Sequence, residues 1–200
     1  MDTSALFKIG YGLYVLSCNE QGKDNACIVN TVMQVTSDPL QLAVCVNKNN
    51  YTCEMIQHTK KFNVSVLTES ANFDLFKNFG FQCGRLVDKF LNFLDVKRSN
   101  NGVFYITKNT NAYFSAYVQQ EIDLGSHIMF IAQIVEAEVL SGESTLTYDY
   151  YHKNIKPASQ VSNKSGWKCK ICGYVYEGEN LPLDFICPIC KHGAIDFEKI

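Results

Sequence analysis

Apolar and polar positions alternate with period two along most of the chain. Phe7, Ile9, Tyr11, Leu13 and Val15 predict a strand over residues 6–18, softened in the middle by Gly10 and Gly12. Residues 20–24 read as a turn. The β-branched and apolar run from Cys27 to Val35 predicts a second strand, which Asp38-Pro39 breaks. Residues 40–46 alternate again, and Phe62 to Leu67 predicts a further strand. The period changes in two places. Met55, Ile56 and Thr59 share one side of a short helix over 52–60, and Phe73, Leu75, Phe76 and Phe79 suggest a helix that gives way to a loop over 80–85. Val87 to Phe93 carries a weaker helical pattern. A strand over 103–107 follows the Asn100-Asn101-Gly102 turn. Two long alternating strands, 112–124 and 127–140, meet at Gly125-Ser126. Several antiparallel strands with short helices between them read as a mainly β fold, a barrel with helical insertions.

Composition changes at residue 157. Pro157 to Gly166 has the make-up of a linker between residues 1–156 and residues 167–200. As a flexible coil, this stretch spans roughly 18 Å. The last unit is too short to hold itself together by core burial, so it needs a metal. Net charge is −2 over the 200 residues, without a basic stripe, and no nucleic-acid partner is expected. No apolar stretch approaches the ~18 residues of a membrane span, and the first residues lack the pattern of an export signal. With nine cysteines and no such signal, reduced thiols in the cytoplasm are the expectation.

Four of those cysteines have metal-ligand spacing. Cys169 and Cys172 form one C-x2-C turn, and Cys187 and Cys190 form a second. Two such turns aim four thiolates at one point, which suits a tetrahedral ion. The spacing does not choose between zinc and iron. Cys18, Cys27, Cys45, Cys53 and Cys83 are scattered and read as small buried residues.

In the first unit, Asn30, Thr31 and Gln34 punctuate an apolar strand, and such groups need partners. The polar edge of a heterocycle is one. Lys48, Asn49 and Thr52 sit where a loop enters a helix, a plausible seat for a phosphate. Each also has an ordinary reading: a satisfied core amide for Gln34, a solvated loop for Lys48, a helix cap for Thr52.

Two resemblances sharpen this. Trp167, the C-x2-C-Gly173-Tyr174-Val175-Tyr176 run, Cys187-Pro188, Phe185 and Phe197 resemble rubredoxin in its shortened, rubrerythrin-type form. That implies one iron on Cys169, Cys172, Cys187 and Cys190, carrying one electron at a time. Lys191 departs from the family, which usually has glycine after the fourth cysteine. The order of residues 25–39, 46–52, Gly80 to Arg85, Gly125-Ser126-His127 and 146–152 resembles the flavin-reductase-like, flavoredoxin-type split-barrel family. It implies an FMN-binding split β-barrel and a homodimer. Asn30, Thr31 and Gln34 would face the flavin. Asn47, Lys48, Asn49 and Thr52 would hold its phosphate, and Cys83 and Arg85 would approach from another side. The family often has serine at the place of Cys83 and Gly-Asp-His at the place of Gly125-Ser126-His127. The histidine matches, and its implied role is near the nicotinamide or the flavin face.

Together the resemblances imply a relay from NAD(P)H through FMN to iron, and on to a partner such as a flavodiiron protein or a rubrerythrin-type peroxidase. Two rivals stay open: a free-flavin reductase whose tail is a zinc ribbon used for docking, and a carrier that never uses nicotinamide directly.

Overall fold

The structure, a computed structural model, describes residue 5 and residues 8–157, 166–170, 174–187 and 193–200. Its centre is a seven-stranded antiparallel sheet of order β2-β1-β5-β8-β9-β4-β3. The strands are β1 (Tyr14–Glu20), β2 (Lys23–Val29), β3 (Val32–Ser37), β4 (Leu40–Asn47), β5 (Lys61–Leu67), β8 (Thr110–Asp123) and β9 (His127–Val139). A small hairpin of β6 (Val96–Arg98) and β7 (Phe104–Ile106) forms a separate two-stranded sheet, tied to β5 where Ile106 N donates to Ser65 Oγ at 2.9 Å. Bulges between Gln34 and Thr36, between Ser115 and Ala116, and between Val118 and Gln120 interrupt the ladders, the usual places for strands to bend.

The turns follow local chemistry. Gln21 and Gly22 both take positive φ, 50° and 84°, and close the β1–β2 hairpin with a Glu20–Lys23 pair. Helix α1 (Tyr51–Thr59) starts where the Asn50 side chain accepts from Thr52 N, and ends at a left-handed Lys60. Helix α2 (Phe73–Gly80) is capped in the same way by Asn72.

Two apolar clusters hold the domain. Phe62, Val64, Phe130, Val44 and Leu16 pack with Met55 and Ile56 of α1. Leu13, Val15, Leu67, Ile106 and Leu146 pack with Phe76 and Phe79 of α2 and with Tyr151. Fully buried aromatic and aliphatic side chains each contribute about 1.5–3 kcal/mol relative to exposure.

The pattern misplaces three elements. Of residues 8–13 none lies in a strand, and only Gly12 makes a bridge, to Thr147. A Cβ on Gly12 would meet the Tyr14 hydroxyl at 2.3 Å, so the glycine serves a close approach rather than a ladder. The run from Cys27 to Val35 is two strands, interrupted at Asn30-Thr31. Residues 87–93 are turns and not a helix. There Phe90 and Phe93 pack on Phe79, with ring centroids at 5.3 and 5.0 Å, and Lys89 turns inward.

The chain after Leu146 forms a short α3 (Tyr148–Tyr150) that widens into a π-helical turn over Tyr151–Ile155. The last unit is a three-stranded sheet of order β11-β10-β12, made of β10 (Trp167–Cys169), β11 (Val175–Tyr176) and β12 (Phe197–Lys199). Among the described residues, no helix is long and apolar enough to cross a membrane.

Candidate functional site

A cavity of about 450 Å³ opens where β2 breaks, β4 ends and α1 begins. This size suits a small-molecule ligand. Its lining combines apolar Leu13, Ile28, Phe76 and Phe79 with the amides and hydroxyl of Asn30, Thr31, Asn47, Asn49 and Asn50. The break at Asn30-Thr31 is what turns these groups to the cavity, since neither residue lies in the flanking strands.

The loop between β4 and α1 is held by bonds of its own and by one to the turn between β8 and β9. Asn49 N donates to Asn47 Oδ1 at 2.9 Å, Asn50 N to Asn47 O at 2.9 Å, and Lys48 N to Ser126 O at 3.0 Å. This presents the first turn of α1 toward the cavity, the end of a helix that favours an anion. In the β4–β9 register, Asn47 stands opposite His127, and both line the cavity. Ser126 Oγ lies 2.8 Å from His127 Nδ1.

The 80–84 loop contributes Phe81, Gln82 and Cys83 to the lining. It lies close to β2. A Cβ on Gly84 would meet Asn25 Oδ1 at 2.1 Å, so a larger residue there would have to displace the Asn25 side chain. Asn25 is buried and donates to Thr52 Oγ1 at 3.0 Å, while its Oδ1 has no hydrogen-bond partner among the described residues. The lining also includes Tyr148, Tyr151 and His152, whose rings meet edge to face at centroid distances of 4.4 Å (Tyr148–His152) and 5.3 Å (Tyr151–His152).

Several groups near the cavity are held neutral. Burial lowers the pKa of His152, with Lys156 adding to it and Asp149 opposing. Burial pushes up the Tyr148 phenol and the Cys45 thiol. Burial also raises Cys27, against hydrogen bonds from Thr52 and Asn50 and the charge of Lys89.

Of the residues singled out in the sequence, Asn30, Thr31, Asn47, Asn49, Cys83 and His127 line this cavity together. Four do not. Gln34 sits on the exposed edge strand β3 and reaches only its own Thr36 carbonyl, at 3.4 Å. Lys48 Nζ is 2.6 Å from the Asp123 carboxylate. Thr52 lies in the first turn of α1, which Asn50 caps, and its buried hydroxyl accepts from Asn25 instead of facing the cavity. Arg85 pairs with Glu54 and lies over the Tyr51 ring, 4.5 Å from its centroid. Sequence reading missed Asn50, Tyr51, Lys89, Tyr148, Tyr151 and His152. The preference for asparagine at a helix cap points to Asn50. Nothing in a linear sequence singles out Lys89, since lysine is rarely buried.

The second candidate centre is in residues 166–200. Cys169 and Cys187 are both fully buried in one cluster with Phe197, ringed by Trp167, Tyr174, Tyr176, Leu181 and Phe185. Cys169 N donates to Tyr174 O at 2.8 Å, and Ile186 bridges Gly193. Cys172 and Cys190 themselves lie outside the described residues, as do Gly173 and Lys191. Two thiols converging in an aromatic shell fit a four-sulfur ion.

Comparison with known proteins now decides the family. Residues 6–159 match the model of the flavin reductase like domain. The chain belongs to that family. Residues 167–198 match the rubrerythrin, rubredoxin-like domain. A high molecular weight rubredoxin of Moorella thermoacetica is 36% identical, over 100% of both chains. A ferric-chelate reductase (NAD(P)H) of Archaeoglobus fulgidus is 38% identical over 76% of this chain and 89% of its own. A flavoredoxin from Methanosarcina acetivorans shares the fold, with a TM-score of 0.59 and 24% identity over 65% of this chain and 69% of that one.

The molecule is thus an oxidoreductase made of a flavin-binding domain followed by a rubredoxin-like, iron-binding domain. The cavity fits the first assignment. Its lining has apolar side chains for a flat ring system, amides for a polar edge, and a helix start for a phosphate.

Proposed function

We propose that this protein takes electrons from NAD(P)H and delivers them singly to an acceptor protein, using FMN in the cavity and iron on the four cysteines. The observation that carries this reading is the pairing of the amide-lined cavity with a second centre of buried thiols in one chain. A flavin exchanges electrons in pairs or one at a time, and a four-thiolate iron exchanges one.

The residues divide the work. Asn30 and Thr31 offer an amide and a hydroxyl to the polar edge of the ring system. Asn47 and Asn49, with the first turn of α1, hold the phosphate end. Cys83 adds its thiol to the lining, and His127 stands where the nicotinamide would approach. Cys169, Cys172, Cys187 and Cys190 are the iron ligands.

A homodimer is part of the proposal. The edge strand β3 leaves Met33 at 55% and Val35 at 42% exposed, an apolar rim that a second subunit would cover. The acceptor we favour is a flavodiiron protein or a rubrerythrin-type peroxidase, and the abundance of thiols fits a reducing cytosol.

Acid extraction and metal analysis of protein from iron-replete cells test the reading. About one FMN and one iron per chain are expected from one cavity and one four-thiolate site. NAD(P)H oxidation with a ferric chelate as artificial acceptor should persist without the tail. Stoichiometric zinc from such cells, with no FMN-dependent oxidation, would leave a binding module and no relay.

A further inference from the structure

We propose that Lys89 is the electrostatic residue of the cavity: a fixed positive charge that favours the reduced, more negative form of the flavin held there. This rests on the flavin reading given above.

Lys89 lines the cavity and is only 5% exposed. Its Nζ donates to Ala26 O at 2.8 Å and to Phe79 O at 3.1 Å. An ammonium has three donors, so these bonds leave one N–H unassigned. No carboxylate pairs with it among the described residues. The neighbouring Asp88 instead accepts from Phe90 N at 2.9 Å. Burial disfavours the ammonium and lowers its pKa, with the sulfurs of Cys27, Cys83 and Cys18 opposing. Burial also keeps Cys27 and Cys18 protonated, so that they supply no counter-charge.

A buried charge without a counter-ion is costly, and lysine is rarely buried without one. The two carbonyls lower that cost without removing the charge. The missing anion is what a ligand gaining electrons would supply, in a site of low dielectric where the interaction is strong. A purely structural reading also exists. Lys89 ties the 84–94 segment to β2 and to the last turn of α2, and Asn78 Nδ2 binds its carbonyl at 2.9 Å. Both readings predict loss of stability on substitution, but only the first predicts a change in potential.

The test is a pair of variants studied as FMN-loaded full chains. Wild type is titrated with FMN first, and failure there would count against the flavin cavity rather than against Lys89. Lys89→Gln keeps two N–H donors for the Ala26 and Phe79 carbonyls and drops the charge. The affinity ratio for reduced over oxidised FMN should fall about tenfold, a two-electron midpoint lower by about 30 mV. Lys89→Arg keeps the charge and should hold the wild-type ratio, whatever its melting temperature. Should Lys89→Gln not fold, Lys89→Met replaces it and is read in the same way. A wild-type ratio in the uncharged variant, or an equal fall in Lys89→Arg, overturns the proposal.

Discussion

Asn47 and His127 are direct register partners at the ends of β4 and β9, so one strand pair puts an amide and an imidazole side by side at the cavity. Lys48 N, bonded to Ser126 O at 3.0 Å, locks the same corner. His127→Ala should therefore leave the loop standing and FMN bound. Reduction of the bound flavin by NAD(P)H should slow, on the order of 10²-fold if the imidazole assists proton movement. Stopped-flow absorbance at the flavin band checks this. Unchanged kinetics, or loss of FMN, would return His127 to a structural role.

The Lys48–Asp123 pair makes a second prediction. Hydrogen bonds from Lys48 and then from Gly125 N–H hold the Asp123 carboxyl below the usual range. The pair keeps Lys48 off the phosphate end, so Asp123→Asn, which frees the ammonium, should tighten FMN several-fold and leave riboflavin, which lacks the phosphate, unchanged. Lys48→Ala, with Asp123 in place, should move neither flavin. Equal effects of Asp123→Asn on both flavins would place the freed Lys48 away from the phosphate.

Most elements and about half of the candidate site were legible in the sequence, and the reasons differ by residue. Strands β4, β5, β8 and β9 and helices α1 and α2 follow the apolar period closely. The Asn30-Thr31 pair was visible as polar punctuation, but that it breaks the strand was not, because both flanks keep β-branched residues. Thr52 and Arg85 are drawn away from the cavity for a common reason. A hydroxyl one residue into a helix and an arginine near a loop look like anion ligands in one dimension. In three dimensions, Asn25 and Glu54 take them. Those partners lie 27 and 31 residues away, beyond any local pattern. The cysteine spacing was legible outright, since C-x2-C pairs are local.

Removing one of those cysteines should unmake the last unit only. In Cys169→Ala, three thiolates no longer close the site, and a unit this small depends on its metal. The iron absorbance should be lost, and electron delivery to a protein acceptor should fall to background. FMN content and ferric-chelate reduction should stay at wild-type level. Loss of flavin in this variant would show that the two centres are not independent.

Alkaline stability offers a check on the core. Burial, with the charges of Cys27 and Glu121, raises the Cys53 thiol to about 11. Below pH ~8.5, the ordinary cysteine pKa, both folded and unfolded chains hold this proton and its contribution is complete. As pH rises toward 11, the unfolded chain releases the proton first, so the folded state loses stability. Denaturant midpoints should fall across that window, and Cys53→Ala should flatten the slope. An identical slope in the variant would assign the alkaline loss to other groups.

The central claim is that electrons reach the iron by way of the flavin cavity. Stopped-flow mixing with NAD(P)H, following the flavin and iron bands separately, tests it in full-length protein before and after FMN is stripped out. The account predicts that iron bleaching follows flavin bleaching in the loaded protein, disappears in the stripped protein and returns when FMN is restored. Bleaching of the iron at an unchanged rate without FMN would contradict it.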